Sequence, residues 1–203
     1  MINKMSKLLL VLCLVSLLLS SCSVDNDNTA GVNASTTRNY LKVGNVEYDL
    51  SVGVFENFGV DNENKLYQGY STDLMLYSKG LSLQKNENEF YMFAGKGNAI
   101  YFEMFSTSGK KLDSQVYVFS SRAPYEVGTF GNGVIIQDLN FDFKHFHSIE
   151  AKDKSEIVEG IVNINKNGDE YTITINCVCD NGLQVTGSYI GTLPYIDWPV
   201  FDS

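Results

Sequence analysis

From residue 40 onward apolar and polar positions alternate with a period of two rather than 3.6, so the chain is written as strands. In Val46-Glu47-Tyr48-Asp49-Leu50-Ser51-Val52-Gly53-Val54 every even position is apolar and every odd one is polar or glycine. That predicts one half-buried strand with a wet face. Leu74–Tyr77 and Ile100–Phe105 (IYFEMF) carry apolar groups in both phases, as in strands covered on both sides. Gln115–Phe119 and Gly133–Phe143 continue the series, with turns predicted at Thr107–Lys111, Ala123-Pro124 and Gly131-Asn132-Gly133.

The C-terminal third is the clearest. Glu159–Asn165 runs into Lys166-Asn167-Gly168-Asp169, a turn with Asn-Gly at its centre. Tyr171, Ile173, Ile175, Cys177 and Cys179 then alternate with polar residues up to a second turn at Asp180-Asn181-Gly182. Leu183, Val185, Gly187, Tyr189, Gly191 and Leu193 then alternate with Gln184, Thr186, Ser188 and Thr192 in the next strand. Asn-Gly between alternating runs favours a tight hairpin, because both residues tolerate positive φ. Two such turns in succession predict a three-stranded meander. Ser148–Val158 comes nearest to a helical stripe, but it holds β-branched residues and no stop signal, and it reads as a link between strands through Lys152-Asp153-Lys154. About eight to ten short strands and little or no helix predict an all-β domain. The expected form is an antiparallel β-sandwich, with a closed calycin-like β-barrel as the alternative.

The first 39 residues follow another pattern. Lys4 and Lys7 precede Leu8–Leu19, an apolar run of 12 residues with no acid before it. A spanning helix needs about 20 apolar residues, so this is the n- and h-region of a secretory signal. Leu19-Ser20-Ser21-Cys22 then matches a bacterial lipobox, in which the cysteine thiol receives diacylglycerol before cleavage and palmitate follows on the new N-terminus. The expected organisation is a signal peptide over 1–21, acylated Cys22 with a flexible polar tether over 22–39, and a single all-β domain over 40–203. The tether, SVDNDNTAGVNASTTRN, has no periodicity and spans about 20–25 Å as a coil. Its DNDN lacks the glycine and distal glutamate of a calcium loop. Ser23 rather than aspartate after the cysteine favours the outer membrane, lipid-anchored on its periplasmic or extracellular face. Asp25 and Asp27 weakly match the acidic export tag of Bacteroidetes surface lipoproteins.

Composition sharpens this. The 203 residues carry 15 basic and 24 acidic side chains, a net charge of −9, and removing Lys4 and Lys7 with the signal makes it −11. Such a balance argues against sequence-independent binding of nucleic acid, since phosphate neutralisation needs a Lys/Arg surplus, and it equally disfavours attraction to anionic lipid heads. Any membrane attachment therefore rests on lipid, since two acyl chains anchor stably.

The spaced pattern Gly160-x-Val162-x-Ile164, Gly168-Asp169-x-Tyr171-x-Ile173-x-Ile175 and Asn181-Gly182-x-x-Val185-x-Gly187-x-Tyr189-x-Gly191-x-Leu193 is similar to the C-terminal end of a family of uncharacterised outer-membrane and surface lipoproteins of Bacteroidetes. Pro124-Tyr125-Glu126-Val127-Gly128-Thr129-Phe130 is a degenerate echo of a Gly-Thr-Tyr turn in that group. The resemblance covers the signal, the tether and about two-thirds of the domain. It implies an all-β envelope lipoprotein and brings no active site with it.

Candidate chemistry is sparse. Cys177 and Cys179, about 6.6 Å apart by strand rise, share a face with Ile173 and Ile175 and read as small buried hydrophobes. His145 and His147 could give two zinc ligands, completed by Asp142 or Glu150, but no third-ligand motif accompanies them and a solvent-facing pair is the preferred reading. Asp61, Glu63, Glu87 and Glu89 sit in Asn-rich loops, where paired acids could serve a glycosidase. With 24 acids in the chain such pairs are expected by chance. Tyr67, Tyr70, Tyr91, Tyr125 and Trp198 lie in or near loops and would suit a sugar face. No nucleophile elbow, zinc-protease motif or P-loop is present, so neither an enzyme nor a cofactor or metal is expected.

The expected function is a lipid-anchored binding or interaction module of the envelope, with a glycan or protein as ligand. The alternatives are a lipocalin-like carrier of a small apolar ligand and a fimbrial or surface-assembly subunit, for which Arg38 would be the processing site.

Overall fold

The computed structural model of the chain describes residues 38–85, 91–141 and 153–196, and these contain strands and no helix. The chain falls into two units, Met1–Thr36 and Thr37–Ser203, and every described residue belongs to the second. Its twelve strands are β1 (Tyr40–Val43), β2 (Val46–Asp49), β3 (Val52–Gly59), β4 (Tyr70–Tyr77), β5 (Leu81–Lys85), β6 (Tyr91–Ser106), β7 (Gln115–Phe119), β8 (Thr129–Phe141), β9 (Asp153–Asn167), β10 (Glu170–Cys179), β11 (Gln184–Thr192) and β12 (Tyr195–Ile196).

They form one sheet in the order β12-β3-β4-β6-β8-β7-β9-β10-β11-β1-β2, with β5 paired to β6 off this path. All pairings are antiparallel except β12 with β3 and β7 with β8. The sheet is strongly curled and open, a half-barrel. Its first strand pairs with its second-to-last, Tyr40 opposite Ser188 and Val43 opposite Val185. Asn39 prolongs that seam, its amide donating to Ile190 O (3.0 Å) and its carbonyl oxygen accepting from Ile190 N (2.7 Å).

The meander predicted for the last third is present as β9-β10-β11, with Ile173 opposite Ile164 and Tyr189 opposite Ile173. Tyr171, Ile173, Ile175, Cys177 and Cys179 all face inward and are buried. The first turn is centred one residue later than expected. Asn167 pairs with Glu170, and Gly168 (φ +60°) with Asp169 forms the two-residue loop, because glycine occupies its left-handed first position at no steric cost.

Three expectations need correction. Val46–Val54 is two strands, because the chain turns a corner at Leu50-Ser51 and Ser51 N already donates to Tyr77 O of β4 (2.9 Å). Tyr48 and Leu50 face the inner cluster while Val46 is exposed, whereas Gly53 and Phe55 take the inner face beyond the corner and Val52 and Val54 lie outside. Gly131-Asn132-Gly133 is no turn but lies within β8. A Cβ on Gly131 would come 2.8 Å from the Tyr125 ring, and one on Gly133 would come 2.9 Å from Ile157, so these glycines admit neighbouring side chains. Finally, Asp153–Val158 is the start of β9 rather than a link between strands.

Two apolar clusters result. The inner faces of β1, β3, β4 and β6–β11 converge in one large cluster that includes Leu74, Phe102, Tyr117, Phe130, Ile173 and Val185. A smaller cluster, including Val54, Tyr77, Leu81 and Ala99, lies on the outer face of β3, β4 and β6. Two-sided burial explains why Leu74–Tyr77 and Ile100–Phe105 lack alternation.

Candidate functional site

At one end of the curled sheet the segment Thr107–Ser114 (TSGKKLDS) joins β6 to β7. Its sequence ties it down at several points. Leu112 inserts into the inner cluster and is fully buried. The Asp113 carboxylate accepts from Thr107 N (2.9 Å) and Thr107 Oγ1 (2.5 Å), closing the loop on itself. Ser106 Oγ donates to Ser108 O (2.8 Å), and Lys166 N of β9 donates to Ser114 Oγ (2.9 Å). Gly109 lets the loop approach β3 and β4, since a Cβ there would lie 2.4 Å from the Asn57 amide and 2.8 Å from the Tyr70 ring. The lysines between these anchors, Lys110 and Lys111, are left pointing to solvent.

The loop walls two adjoining concavities. One, of about 670 Å³, is lined by Asn57, Tyr70, Thr107, Ser108, Lys110 and Tyr195. The other, of about 430 Å³, shares Lys110 and Tyr195 and adds Lys111, Lys166, Asp169 and Tyr171. Tyr195, on the short β12, packs against Phe55 with ring centroids 5.4 Å apart and leaves 44% of its surface exposed. The Lys166 ammonium binds Gly168 O and sits 5.2 Å from the centroid of the Tyr171 ring. Burial and the nearby Asp113 and Asp169 carboxylates raise the Tyr171 hydroxyl above its ordinary pKa, against the Leu112 backbone bond that lowers it, so it stays protonated. The result is a groove walled by tyrosine rings and lysine ammonium groups in a chain of net charge −9.

Of the five aromatics expected to face a sugar, Tyr70 reaches this groove. Tyr67 and Tyr125 instead flank the buried Phe105, with centroids 5.2 and 4.7 Å away and the Tyr125 ring nearly parallel to it at 6°. They serve as packing. Tyr91 lies in β6, and Trp198 is outside the described residues. Tyr195 was missed because a lone tyrosine after a proline has no periodic signature. The lysines were missed because they read as ordinary turn residues.

The acids fall elsewhere. Asp61 accepts from the backbone N–H groups of Glu63, Asn64 and Leu66 (3.2, 2.8 and 2.8 Å), and the bonds from Leu66 and Asn64 hold its carboxyl below the usual range. It shapes the β3–β4 loop. Glu87, Glu89, Asp142, His145, His147, Glu150 and Cys22 lie outside the described residues. Arg38 pairs with Glu47 and stands 5.8 Å from the Tyr40 ring centroid. Cys177 and Cys179 are free and buried, and desolvation pushes their thiols up to about 12 and about 11.

A carboxylate row not anticipated from sequence crosses the outer face, with Glu56 opposite Asp73 and Asp73 opposite Glu103. Tyr101 donates to Asp73 Oδ1 (2.8 Å), and Ser71 donates to Glu103 (3.4 Å). Burial, with a smaller contribution from the two glutamates, pushes Asp73 up to about 7 despite the Tyr101 bond. Among the described residues no three His, Cys, Asp or Glu side chains are placed to hold a metal ion.

The chain matches no family model, no curated protein and no solved structure.

Proposed function

We propose that the chain is a lipid-anchored binding module of the outer membrane, whose β domain presents the groove beside Thr107–Ser114 to a glycan. The observation that carries this reading is the groove itself, where Tyr70 and Tyr195 stand beside the neutral polar groups of Asn57, Thr107 and Ser108 on a loop held by Leu112 and Asp113. Flat rings suit the apolar faces of sugars, and a pre-ordered loop lowers the entropic cost of binding. Anchorage rests on the lipobox at Leu19–Cys22 and on the tether that follows, and the likeness to Bacteroidetes surface lipoproteins points the same way.

One continuous strand order curled around a single large inner cluster supports a barrel-like reading, with β12 and β2 at the ends of the sheet. The carrier reading is less well supported, because Phe102, Tyr117 and Phe130 occupy the interior such a ligand would need. The test is retention of the full chain, extracted in detergent, on immobilised glycans. Retention that weakens in Tyr195→Ala is expected, and a chain held by none of the glycans would not be a module of this kind.

A further inference from the structure

We infer that the groove takes an anionic saccharide, a sugar chain bearing carboxylate or sulfate groups, with Lys110 and Lys111 as its charge partners and Tyr70 and Tyr195 as its stacking walls. This rests on the glycan-binding reading above and names the ligand class.

The charge placement carries the argument. Acids outnumber bases 24 to 15 in the chain, so surface lysines have ample opportunity for compensation. Arg38 pairs with Glu47, Lys154 with Glu156, and Lys166 is held by Gly168 O and the Tyr171 ring. Among the described residues Lys42, Lys65, Lys79, Lys96, Lys110 and Lys111 make no side-chain ion pair with another described residue, and of these Lys110 and Lys111 are the two that line the groove. The nearest acid in sequence, Asp113, is turned back onto Thr107 by two hydrogen bonds. The loop thus sets two adjacent cations at the groove, while its own carboxylate is engaged by Thr107. A local positive cluster on an acidic protein focuses anions to that point and repels them elsewhere.

The other walls favour sugar over acidic peptide. Asp169 lines the same groove and offers acceptors for sugar hydroxyls. Asn57, Thr107, Ser108 and Thr192 add neutral donors and acceptors suited to hydroxyl groups. The two concavities, about 670 and 430 Å³, meet at Lys110 and Tyr195, and each falls in the size range of small-ligand sites.

The experiment compares the detergent-extracted full chain with Lys110→Gln/Lys111→Gln on an array of uronate and sulfated oligosaccharides, neutral oligosaccharides and poly-glutamate. Expected is retention by the uronate or sulfated members, weakened at least tenfold in the double variant and by raised salt, with the thermal midpoint unchanged. Retention by neutral oligosaccharides alone, or equal retention of both proteins, would overturn the inference and leave the glycan-binding reading standing. Poly-glutamate bound as tightly as uronate would replace a saccharide ligand with an acidic peptide. Retention by nothing on the array would sink both readings together.

Discussion

Asp73 shows how far a sheet register can displace a single proton. Cross-strand pairing sets it between Glu56 and Glu103, where like charges directly opposite are destabilising. Its carboxyl, pushed up to about 7 by burial, therefore holds a proton in the folded chain that the unfolded chain releases near pH 4. Between those values the folded state binds more protons, so stability falls as pH rises through the window and stays low above it. The shift corresponds to a loss of up to about 4 kcal/mol. Denaturant midpoints should be higher at pH 5 than at pH 8, and Asp73→Asn should flatten that slope and be the more stable protein at pH 8. A wild-type midpoint that rises with pH would contradict this. The same reasoning makes Cys177 and Cys179 inert. With both thiols buried and raised to about 12 and about 11, the thiolate needed for alkylation is scarce at pH 8. Native protein should resist iodoacetamide for as long as it stays folded, and labelling should follow unfolding.

Among the elements, the Thr107–Ser114 loop depends most visibly on one residue. Leu112 contributes its whole side chain to the inner cluster, so Leu112→Ala should cost about 2–5 kcal/mol in chemical denaturation. It should also weaken glycan retention at temperatures where the variant remains folded, because Lys110 and Lys111 lose their platform. Strands and turns of this kind were legible in sequence where the signal is local. The β9-β10-β11 meander follows from two Gly-containing turns and strict alternation. The corner at Leu50-Ser51 was not legible, because alternation reports only which residues share a face and continues unbroken across a bend that exchanges the faces. Nor was the use of Gly131 and Gly133, since a glycine that makes room for Tyr125 or Ile157 has the same letter as one that turns the chain. The groove was legible only at Tyr70. Its other parts come from β9, β12 and a loop far apart in sequence, and long-range pairing alone brings them together.

For the whole molecule, the proposed anchorage makes a simple forecast. Cys22→Ala should abolish palmitate incorporation and move the protein out of the membrane fraction, while the β domain keeps its far-ultraviolet dichroism. A protein that stays with membranes after this change would be held by something other than lipid on Cys22. The chain's net charge of −9 offers no substitute, since it is repelled by anionic headgroups. The seam between β1 and β11 has a consequence in time as well as in space. Tyr40 finds its partner only when Ser188 exists, and β3 receives β12 only when Tyr195 does. Pairings this distant along the chain make folding slow, and they leave β1 and β3 without these neighbours until residues 185–196 have been made. On the proposed export of the chain that delay would be an asset, keeping the thread loose enough to pass a translocation channel before its sheet forms.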